Sequence, residues 1–404
     1  MKNTNIETSN HIQSIFLKEN LKIKLSKNFE KIFNKILENI NKPGDVLNIF
    51  SKDFKFNFKL RDLKKFKAFK QIAIIGMGGS ILGAEAIHHF LKRKIRKKVY
   101  FFDDLNSENV FEIKKMQSKK ILFIVISKSG NTTETILNLV SLNIVKKNSK
   151  NIIVITEKNN NPLHKMSKKM NLFFIEHKKF IGGRYSVLSE VGILPSHLMG
   201  IQTNSLRKNI RRYLKGEHKK FLKESTLKLA NIMISGKKRN LIFLNYEPRL
   251  EKFLYWCQQL IAESLGKKKK GFLPIISNNP KDHHSLLQLY LDGPRDKIFH
   301  ILSFEDKFDK KYSIRKFFNN LSYLNNKSIN KVKNVQKNSL IKVLKIKNIP
   351  FREFKIKNIN EETLGELFAY FILETIIIGK LARINPFNQP AVEQVKIITK
   401  RFLS

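Results

Sequence analysis

Residues 71–81 read QIAIIGMGGSI, a short apolar run that ends in a glycine-rich turn. The run Gln71–Ile75 is rich in isoleucine and predicts a buried strand, and a helix-compatible segment follows from Ile81. Glycines at such a turn let the backbone approach an anion at a helix N-terminus. The turn lacks the GxGxxG spacing of a dinucleotide site and a Walker lysine and hydroxyl pair. By itself it fits a tight strand-to-helix connection equally well.

The pattern of strand, loop and helix recurs further along the chain. The predicted strands are Val99–Phe102, Ile121–Ile126 and Asn151–Thr156, each followed by a helix-compatible segment. Repeated units of this kind build a parallel sheet with helices on both faces. The fold class is therefore α/β, with a doubly wound parallel sheet.

A second series begins after about residue 200. Its predicted strands are Leu241–Leu244, Phe272–Ile276 and Lys297–Ile301. Its predicted helices are Tyr255–Leu265 and His283–Leu291. This series predicts a second doubly wound sheet. Residues 305–345 are rich in Lys and Asn and have weak periodicity, so surface helices and loops are expected there.

Both ends of the chain are predicted to be helical. Apolar residues at helical spacing around Ile36 precede an interruption at Pro43, and Glu361–Ile378 and Val392–Phe402 predict two terminal helices. The expected organisation is a helical segment at 1–70, α/β domains at 71–200 and 201–360, and a helical segment at 361–404 that completes the active site.

Composition narrows the class of protein. The chain has 404 residues, 42% of them hydrophobic, which suggests more than one domain. No run approaches the ~18 consecutive apolar residues of a membrane span, and the first residues lack the apolar stretch of a secretory signal. The single cysteine, Cys257, excludes an internal disulfide and suits a reducing compartment. We expect a cytoplasmic protein with no membrane partner.

The charge balance is strongly basic. Lys and Arg number 78 against 33 Asp and Glu, so the formal net charge is 78 − 33 = +45. Lysine is spread along the whole chain together with frequent Asn, Ile and Phe, a pattern typical of AT-rich codon usage. Runs such as Arg93–Lys98 and Lys267–Lys270 are too short to define a nucleic-acid module. No nucleic-acid partner is predicted.

The loop SKSGNTTET at 127–135 follows a predicted strand and begins a helix. Four hydroxyls surround this helix N-terminus, at Ser127, Ser129, Thr132 and Thr135. Hydroxyls and backbone N–H groups can hold a phosphate monoester without a metal. Ordinary N-capping uses one or two hydroxyls, so phosphate binding is the favoured interpretation.

The two loops together resemble the sugar isomerase fold, and three further segments resemble the glucose-6-phosphate isomerase family. They are FIGGRYSVLSEVG at 180–192, QQLIAESLGK at 258–267 and GKLARINPFNQPAVEQVK at 379–396. The order of motifs is kept over residues 71–396. Leu265 and Asn131 depart from the residues that are usual in the family.

The resemblance implies two sugar isomerase domains and a metal-free, cofactor-free isomerisation of glucose 6-phosphate and fructose 6-phosphate. In the family, Glu263 matches the base that moves a proton between C1 and C2 through a cis-enediol. Arg184 matches the arginine that stabilises the enediolate, and Lys396 matches a lysine that acts on the ring oxygen. His284 matches the ring-opening histidine, which comes from the neighbouring subunit, so a homodimer with a shared active site is implied. His283 precedes it where the family has Gln, which leaves open which imidazole acts.

The resemblance also implies a set of substrate contacts. They are Gly78, Ser80, Ser127, Lys128, Ser129, Thr132, Thr135, Gln259 and Gln389. No cluster of Cys or His has metal-ligand spacing, so no metal site is expected.

Three alternatives stay open. The first is dual action on glucose 6-phosphate and mannose 6-phosphate. The second is a non-catalytic sugar-phosphate sensor, which would have no need for Glu263, His284 and Lys396 together. The third is a nucleic-acid binder, for which salt-sensitive retention on DNA would be the sign.

Overall fold

The structure, a computed structural model, describes residues 5–115, 120–306, 310–314 and 318–404. The strands are β1 (Ile6–Asn10), β2 (Gln71–Ile75), β3 (Lys98–Phe102), β4 (Ile121–Ile126), β5 (Ile152–Thr156), β6 (Phe173–Glu176), β7 (Asn240–Asn245), β8 (Leu273–Asn278), β9 (Lys297–Phe304), β10 (Lys311–Tyr312), β11 (Lys327–Ser328) and β12 (Phe351–Ile356). The helices are α1 (Glu19–Ile40), α2 (Leu82–Phe90), α3 (Ser107–Lys115), α4 (Thr133–Ser141), α5 (Pro162–Lys169), α6 (Glu190–Met199), α7 (Thr203–Lys208), α8 (Gly216–Ser235), α9 (Glu251–Leu265), α10 (Leu287–Asp292), α11 (Ile329–Ile346), α12 (Glu361–Leu381) and α13 (Ala391–Leu403).

The first sheet is parallel throughout, in the order β3-β2-β4-β5-β6. Every residue of β4 is buried, because helices cover both faces of the sheet. The predicted strands 71–75, 99–102, 121–126 and 151–156 are confirmed within a residue at each end. β6 was not predicted, since it has only four residues. The carboxyl ends of β2, β4, β5 and β6 meet at one edge.

The second sheet has the order β1-β12-β9-β7-β8. Its strands are parallel except for β1, which pairs antiparallel with β12, placing Ile6 opposite Ile356. The prediction that the chain begins as a purely helical segment was therefore wrong at Ile6–Asn10. The partner strand lies about 350 residues away in sequence, and no local pattern predicts such a pairing. The helix predicted around Ile36 is confirmed as α1.

The predicted helix His283–Leu291 was wrong in its first half. Residues Lys281–His284 form a single 3-10 turn, and α10 begins only at Leu287. The Asp282 carboxylate accepts the backbone N–H of Asn278 (2.8 Å), which holds a turn where the helix was expected to begin. The predicted strand Phe272–Ile276 is shifted, because β8 begins at Leu273 and continues to Asn278.

The long segment predicted as surface helices and loops contains an 18-residue helix, α11. It is more than a surface element, since Leu340 and Leu344 are buried against the second sheet. The short strands β10 and β11 pair antiparallel beside it.

Helix α12 forms the apolar centre of the molecule. Almost all of its residues are buried, and it packs against α7, α8 and α9. Its Glu374 carboxylate pairs with the fully buried Arg352 guanidinium of β12, which joins the helix to the second sheet. Helix α9 packs in turn on α2, whose buried Glu85 accepts a hydrogen bond from Lys252 (3.1 Å). These contacts bring the end of α9 to the loops of the first sheet.

The terminal helix α13 contrasts with α12 because all of its residues are exposed. Among the described residues, no helix has the length and apolar character needed to cross a membrane.

Candidate active site

The loop after β4 forms a compact hydroxyl cluster at the N-terminus of α4. Ser127 Oγ lies 2.9 Å from Thr132 Oγ1 and accepts the backbone N–H of Gly130 (3.1 Å). Ser129 Oγ lies 3.5 Å from Thr132 Oγ1 and is exposed. Thr135 is fully buried, and its hydroxyl has no hydrogen-bond partner in the described part of the chain. Donors gathered at a helix N-terminus suit a phosphate group.

Cations surround this loop. Lys128 Nζ lies 3.7 Å from a carboxylate oxygen of Glu157, a long and partly exposed ion pair. Burial lowers the pKa of Lys128, and the nearby positive charges of Arg184 and Lys179 lower it further, while Glu157 opposes the change. Cations that depress one another's pKa in this way favour the arrival of a dianion, which relieves their repulsion.

A buried histidine lies at the same edge of the sheet. His177 follows β6, and its backbone N–H donates to the Thr156 carbonyl (2.8 Å). Burial, and secondly the charge of Lys128, lower the pKa of His177 to about 4, so the imidazole is neutral near pH 7. Its Nε2 has no partner among the described residues. No sequence motif had indicated this residue.

The glycine turn after β2 permits close packing. Gly78 has φ +53°, and a Cβ atom there would lie 2.8 Å from Gln259 Nε2. A Cβ on Gly79 would lie 2.2 Å from the Gly183 carbonyl carbon. Only glycine lets this turn contact both α9 and the GGRYS segment. Ser80, predicted as a substrate contact, is buried in the same turn.

Arg184 is the structural centre of the site. Its guanidinium is buried and donates to Ser264 Oγ (2.7 Å), Glu263 Oε2 (3.1 Å) and Gln389 Oε1 (2.8 Å). It also donates to the carbonyl oxygens of Pro386 (2.7 Å) and Asn388 (3.2 Å). One side chain therefore joins α9 to the 386–389 loop, which only a planar fork of donors can do.

The Glu263 carboxylate is held from two sides. Oε2 accepts from Arg184, and Oε1 accepts from Gln259 Nε2 (2.9 Å). The side chain is 32% exposed, so one face of the carboxylate remains accessible. A partly desolvated carboxylate with fixed orientation is suited to removing a carbon-bound proton. The structure thus brings together Glu263, Arg184, Gln259 and Gln389.

Three further residues, Tyr185, Ser264 and Lys267, support the site and were not predicted, although each lies inside a quoted motif. Tyr185 Oη donates to the Pro386 carbonyl (2.9 Å) and lies 2.8 Å from Ser264 Oγ, and burial raises its pKa. Lys267 Nζ donates to the carbonyl oxygens of Ser264 (3.1 Å) and Asn385 (2.6 Å). Burial, and secondly the charge of Arg184, lower the pKa of Lys267 to about 8. Position beside a motif residue was the only sequence signal.

His284 does not join this cluster within one chain. Asn278, at the end of β8, donates to Glu251 in the first turn of α9 (2.9 Å), while Gln258 donates to the Pro274 carbonyl (2.9 Å). The helix and the strand therefore run antiparallel, and His284 lies at the helix end opposite to Glu263. Twelve residues of helix separate Glu251 from Glu263, a distance of about 18 Å.

The two adjacent histidines differ in environment. His283 Nε2 lies 2.7 Å from Tyr246 Oη, and burial, with the neighbouring His284, lowers its pKa. His284 is exposed, and its imidazole has no hydrogen-bond partner among the described residues. His284 is therefore the more accessible of the two imidazoles.

Lys396 is also absent from the cluster. It lies on α13, is 62% exposed and pairs only with Glu393 (2.8 Å) among the described residues. Gln389, seven residues earlier, does lie in the site. The link between α13 and the 386–389 loop is therefore short.

Comparison with known proteins agrees with this arrangement of motifs. A family model described as phosphoglucose isomerase matches residues 45–404. The chain belongs to the phosphoglucose isomerase family. Within this family, the glucose-6-phosphate isomerase of Methanocaldococcus jannaschii is 31% identical over 398 residues, covering 91% of this chain and 96% of its own length. A probable glucose-6-phosphate isomerase of Methanococcus maripaludis is 34% identical, covering 84% and 80%.

Solved structures confirm the fold predicted for this member of the phosphoglucose isomerase family. A glucose-6-phosphate isomerase from Chlamydia trachomatis superposes with a TM-score of 0.76 at 16% identity, covering 99% of this chain and 88% of that one. A hypothetical protein from Thermus thermophilus has a TM-score of 0.84 at 22% identity, covering 99% and 100%. The prediction of two sugar isomerase units built on parallel sheets is confirmed, with β1 added antiparallel at the edge of the second sheet.

Proposed function

We propose that this chain interconverts glucose 6-phosphate and fructose 6-phosphate, with Glu263 as the base. The observation that carries the proposal is the Glu263 carboxylate, held between Arg184 and Gln259. Arg184 in turn lies near enough to the loop after β4 for its charge to lower the pKa of Lys128. Relatives of the same family that cover most of the chain are named glucose-6-phosphate isomerases. The reaction belongs to glycolysis and gluconeogenesis.

The phosphate group is proposed to bind at the turn after β4. Ser127, Ser129 and Thr132 supply hydroxyls, and Lys128 supplies positive charge. The buried Thr135 hydroxyl lies one turn further into α4 without a partner in the described residues. A phosphate fixed at this end holds C1 and C2, at the far end of the sugar, in one orientation. Binding energy thereby offsets the entropy cost of orienting the reacting carbons.

The proton transfer follows from the position of Glu263. In the open-chain aldose, Glu263 removes the proton from C2, the C–H electron pair forms the C1–C2 double bond, and the π pair of the C1 carbonyl moves onto O1. The O2 hydroxyl proton passes to O1 through the cis-enediol, and return of the carbon-bound proton from Glu263 to C1 restores a carbonyl at C2, which gives the ketose. Negative charge that develops on the oxygens is stabilised by Arg184, whose guanidinium is already fixed by its other bonds. The proton moves between adjacent carbons, so this proposal requires no electron acceptor, metal or cofactor.

Ring opening is proposed to use His284 of a second subunit. Within one chain the separation of about 18 Å along α9 is too long for His284 and Glu263 to act on one sugar. The exposed, unbonded imidazole is available to a neighbouring copy. A homodimer with two shared sites is the smallest closed assembly that satisfies both constraints.

Lys396 can reach the active site only if α13 changes its packing. The helix has only 13 residues, all exposed, with apolar side chains at Val392, Val395 and Phe402. A helix of this length is marginal in water without a packing surface. We infer that α13 packs in the dimer or on substrate binding, which carries Lys396 towards the loop that holds Gln389.

We also propose the domain boundaries, the cellular location and the absence of nucleic-acid partners that the sequence predicts. The domain boundaries remain near residues 70, 200 and 360, although β1 pairs with the second sheet. A cytoplasmic location agrees with the buried, free thiol of Cys257. The absence of nucleic-acid partners remains a prediction from the scattered lysines.

The decisive experiment is a coupled assay of fructose 6-phosphate conversion with EDTA present. Glu263→Gln keeps the size of the side chain and should lower kcat by at least about 10³-fold, because the general base is removed. Glu38→Gln, the same change at an exposed position of α1, should leave kcat unchanged. Full activity in Glu263→Gln would show that another group is the base, whereas binding without turnover in wild type would support the sensor. Mannose 6-phosphate as a second substrate tests dual action.

A further inference from the structure

A cavity of about 550 Å³ lies behind the end of α9, at the amino ends of β7 and β8. This is the opposite end of the second sheet from His284, and the catalytic side chains do not line it. Ala262 and Gly266 of its wall flank the segment that carries Glu263. The volume lies in the range of small-molecule sites.

The walls of this cavity are cationic. Five basic residues line it and no acidic residue does: Lys238, Arg239, Lys268, Lys269 and Lys270. The Lys238 ammonium is already bonded to the Arg295 carbonyl, and Lys268 donates to the Arg383 carbonyl (3.3 Å). The side chains of Arg239, Lys269 and Lys270 have no hydrogen bond or ion pair with any described residue. Three unneutralised cations around one cavity favour a multivalent anion.

The hairpin that carries the lysines has a conformationally costly backbone. The backbones of Lys267 and Lys270 exchange two hydrogen bonds (3.1 and 3.0 Å). Lys268 and Lys269 between them have φ of 53° and 58°, a region that lysine rarely adopts. Gly271 follows with φ +130°, and a Cβ there would lie 2.9 Å from Gly266 Cα. Backbone strain combined with four adjacent like charges indicates a functional constraint.

The floor of the cavity is apolar. It includes the buried Met233 and Phe272, together with Leu273, which is 61% exposed at the start of β8. A cationic rim above an apolar floor suits an organic molecule that carries phosphate groups better than it suits an inorganic ion alone.

We propose that this cavity binds a small organic anion carrying two or more phosphate groups, at a site separate from the one that isomerises the sugar. The site has a physical link to catalysis. Lys268 contacts Arg383 and Lys267 contacts Asn385, immediately before the 386–389 loop that Arg184 holds. An anion that draws Lys268 towards the cavity therefore releases its bond to Arg383, three residues before that loop.

Pyrophosphate is the probe for the charged part of the ligand. Its binding to the full chain is titrated by calorimetry at constant ionic strength, with saturating fructose 6-phosphate present to occupy the sugar site. We expect one site per chain. The triple variant Lys268→Gln, Lys269→Gln, Lys270→Gln should bind pyrophosphate at least about tenfold more weakly, from the sum of three exposed charge contacts.

The matched control is Lys146→Gln, Lys147→Gln, Lys150→Gln, which removes the same charge from an exposed loop outside the cavity. Its affinity should change less than about threefold. Equal weakening in both triple variants would reduce the effect to net charge and overturn the proposal, as would the absence of binding in wild type. Leu273→Glu, at the cavity floor, should also weaken binding while Leu273→Ala should not. The readout needs no turnover, so it fails or succeeds independently of the isomerase assignment.

Discussion

Arg184→Lys is the substitution that best separates chemistry from architecture. Lysine keeps the positive charge but has one nitrogen, so it cannot reach Ser264, Glu263 and the 386–389 loop together. Five hydrogen bonds are made by the guanidinium, and a lysine can replace two or three at most. At about 1 to 1.5 kcal/mol for each lost bond, the free energy of unfolding should fall by roughly 2 to 4 kcal/mol.

The catalytic effect should be of similar size in free energy but should have a separate cause. If the lysine ammonium bonds Glu263, the 386–389 loop loses its hydrogen bonds. If the ammonium bonds the loop instead, the enediolate loses its fixed donor. Removing one fixed donor of this kind costs about 10²- to 10³-fold in kcat, and we expect a fall in that range. Denaturant unfolding and the coupled assay measure the two quantities on the same preparations.

The control is Arg61→Lys, the same change at a side chain that is 72% exposed, which should alter neither quantity. A stability loss with kcat within about threefold of wild type would mean that Arg184 is only a structural clamp. Unchanged stability and unchanged kcat would refute the geometry described for this residue.

Three further substitutions test separate parts of the structure. The folded chain binds a proton at His177 less readily than the unfolded chain, so wild type loses stability as the pH falls from 6.5 to 4. In His177→Leu this loss in the free energy of unfolding should be smaller by about 3 kcal/mol, measured by unfolding at both pH values. Gly78→Ala should cost about 1 to 2 kcal/mol and also lower kcat by displacing Gln259, whereas Gly44→Ala, at φ +85° with open space around it, should affect stability alone. Equal mixtures of refolded Glu263→Gln and His284→Ala chains should regain about a quarter of wild-type activity, because half the dimers carry one intact shared site. No recovery would place both residues of a site in one subunit.

The central strands and their loops could be predicted from local sequence. The strands of the first sheet are buried on both faces, so each is a continuous apolar run such as Ile121–Ile126, and the run ends where a polar loop begins. Parallel strands bring those loops to one edge. The hydroxyl cluster and the glycine turn followed from that rule, and the family followed from motif spacing.

Pairing between distant segments was not visible in the same way. β1 was missed because its five residues have no apolar alternation, and the strand is defined by a partner about 350 residues away. His177 had no motif at all, and its neutral, buried state depends on the packing of β6 beside the loop of Lys128.

The sequence by itself determined the fold class and the family, and it predicted the groups that we propose to carry chemistry, because strand periodicity and motif chemistry are local properties of the chain. Only the tertiary structure decided how those groups meet. It joined Glu263, Gln259 and Gln389 through one buried guanidinium, and it placed His284 at the far end of α9. The direction of a helix relative to its strand, and the side chains buried between them, depend on contacts across the whole chain.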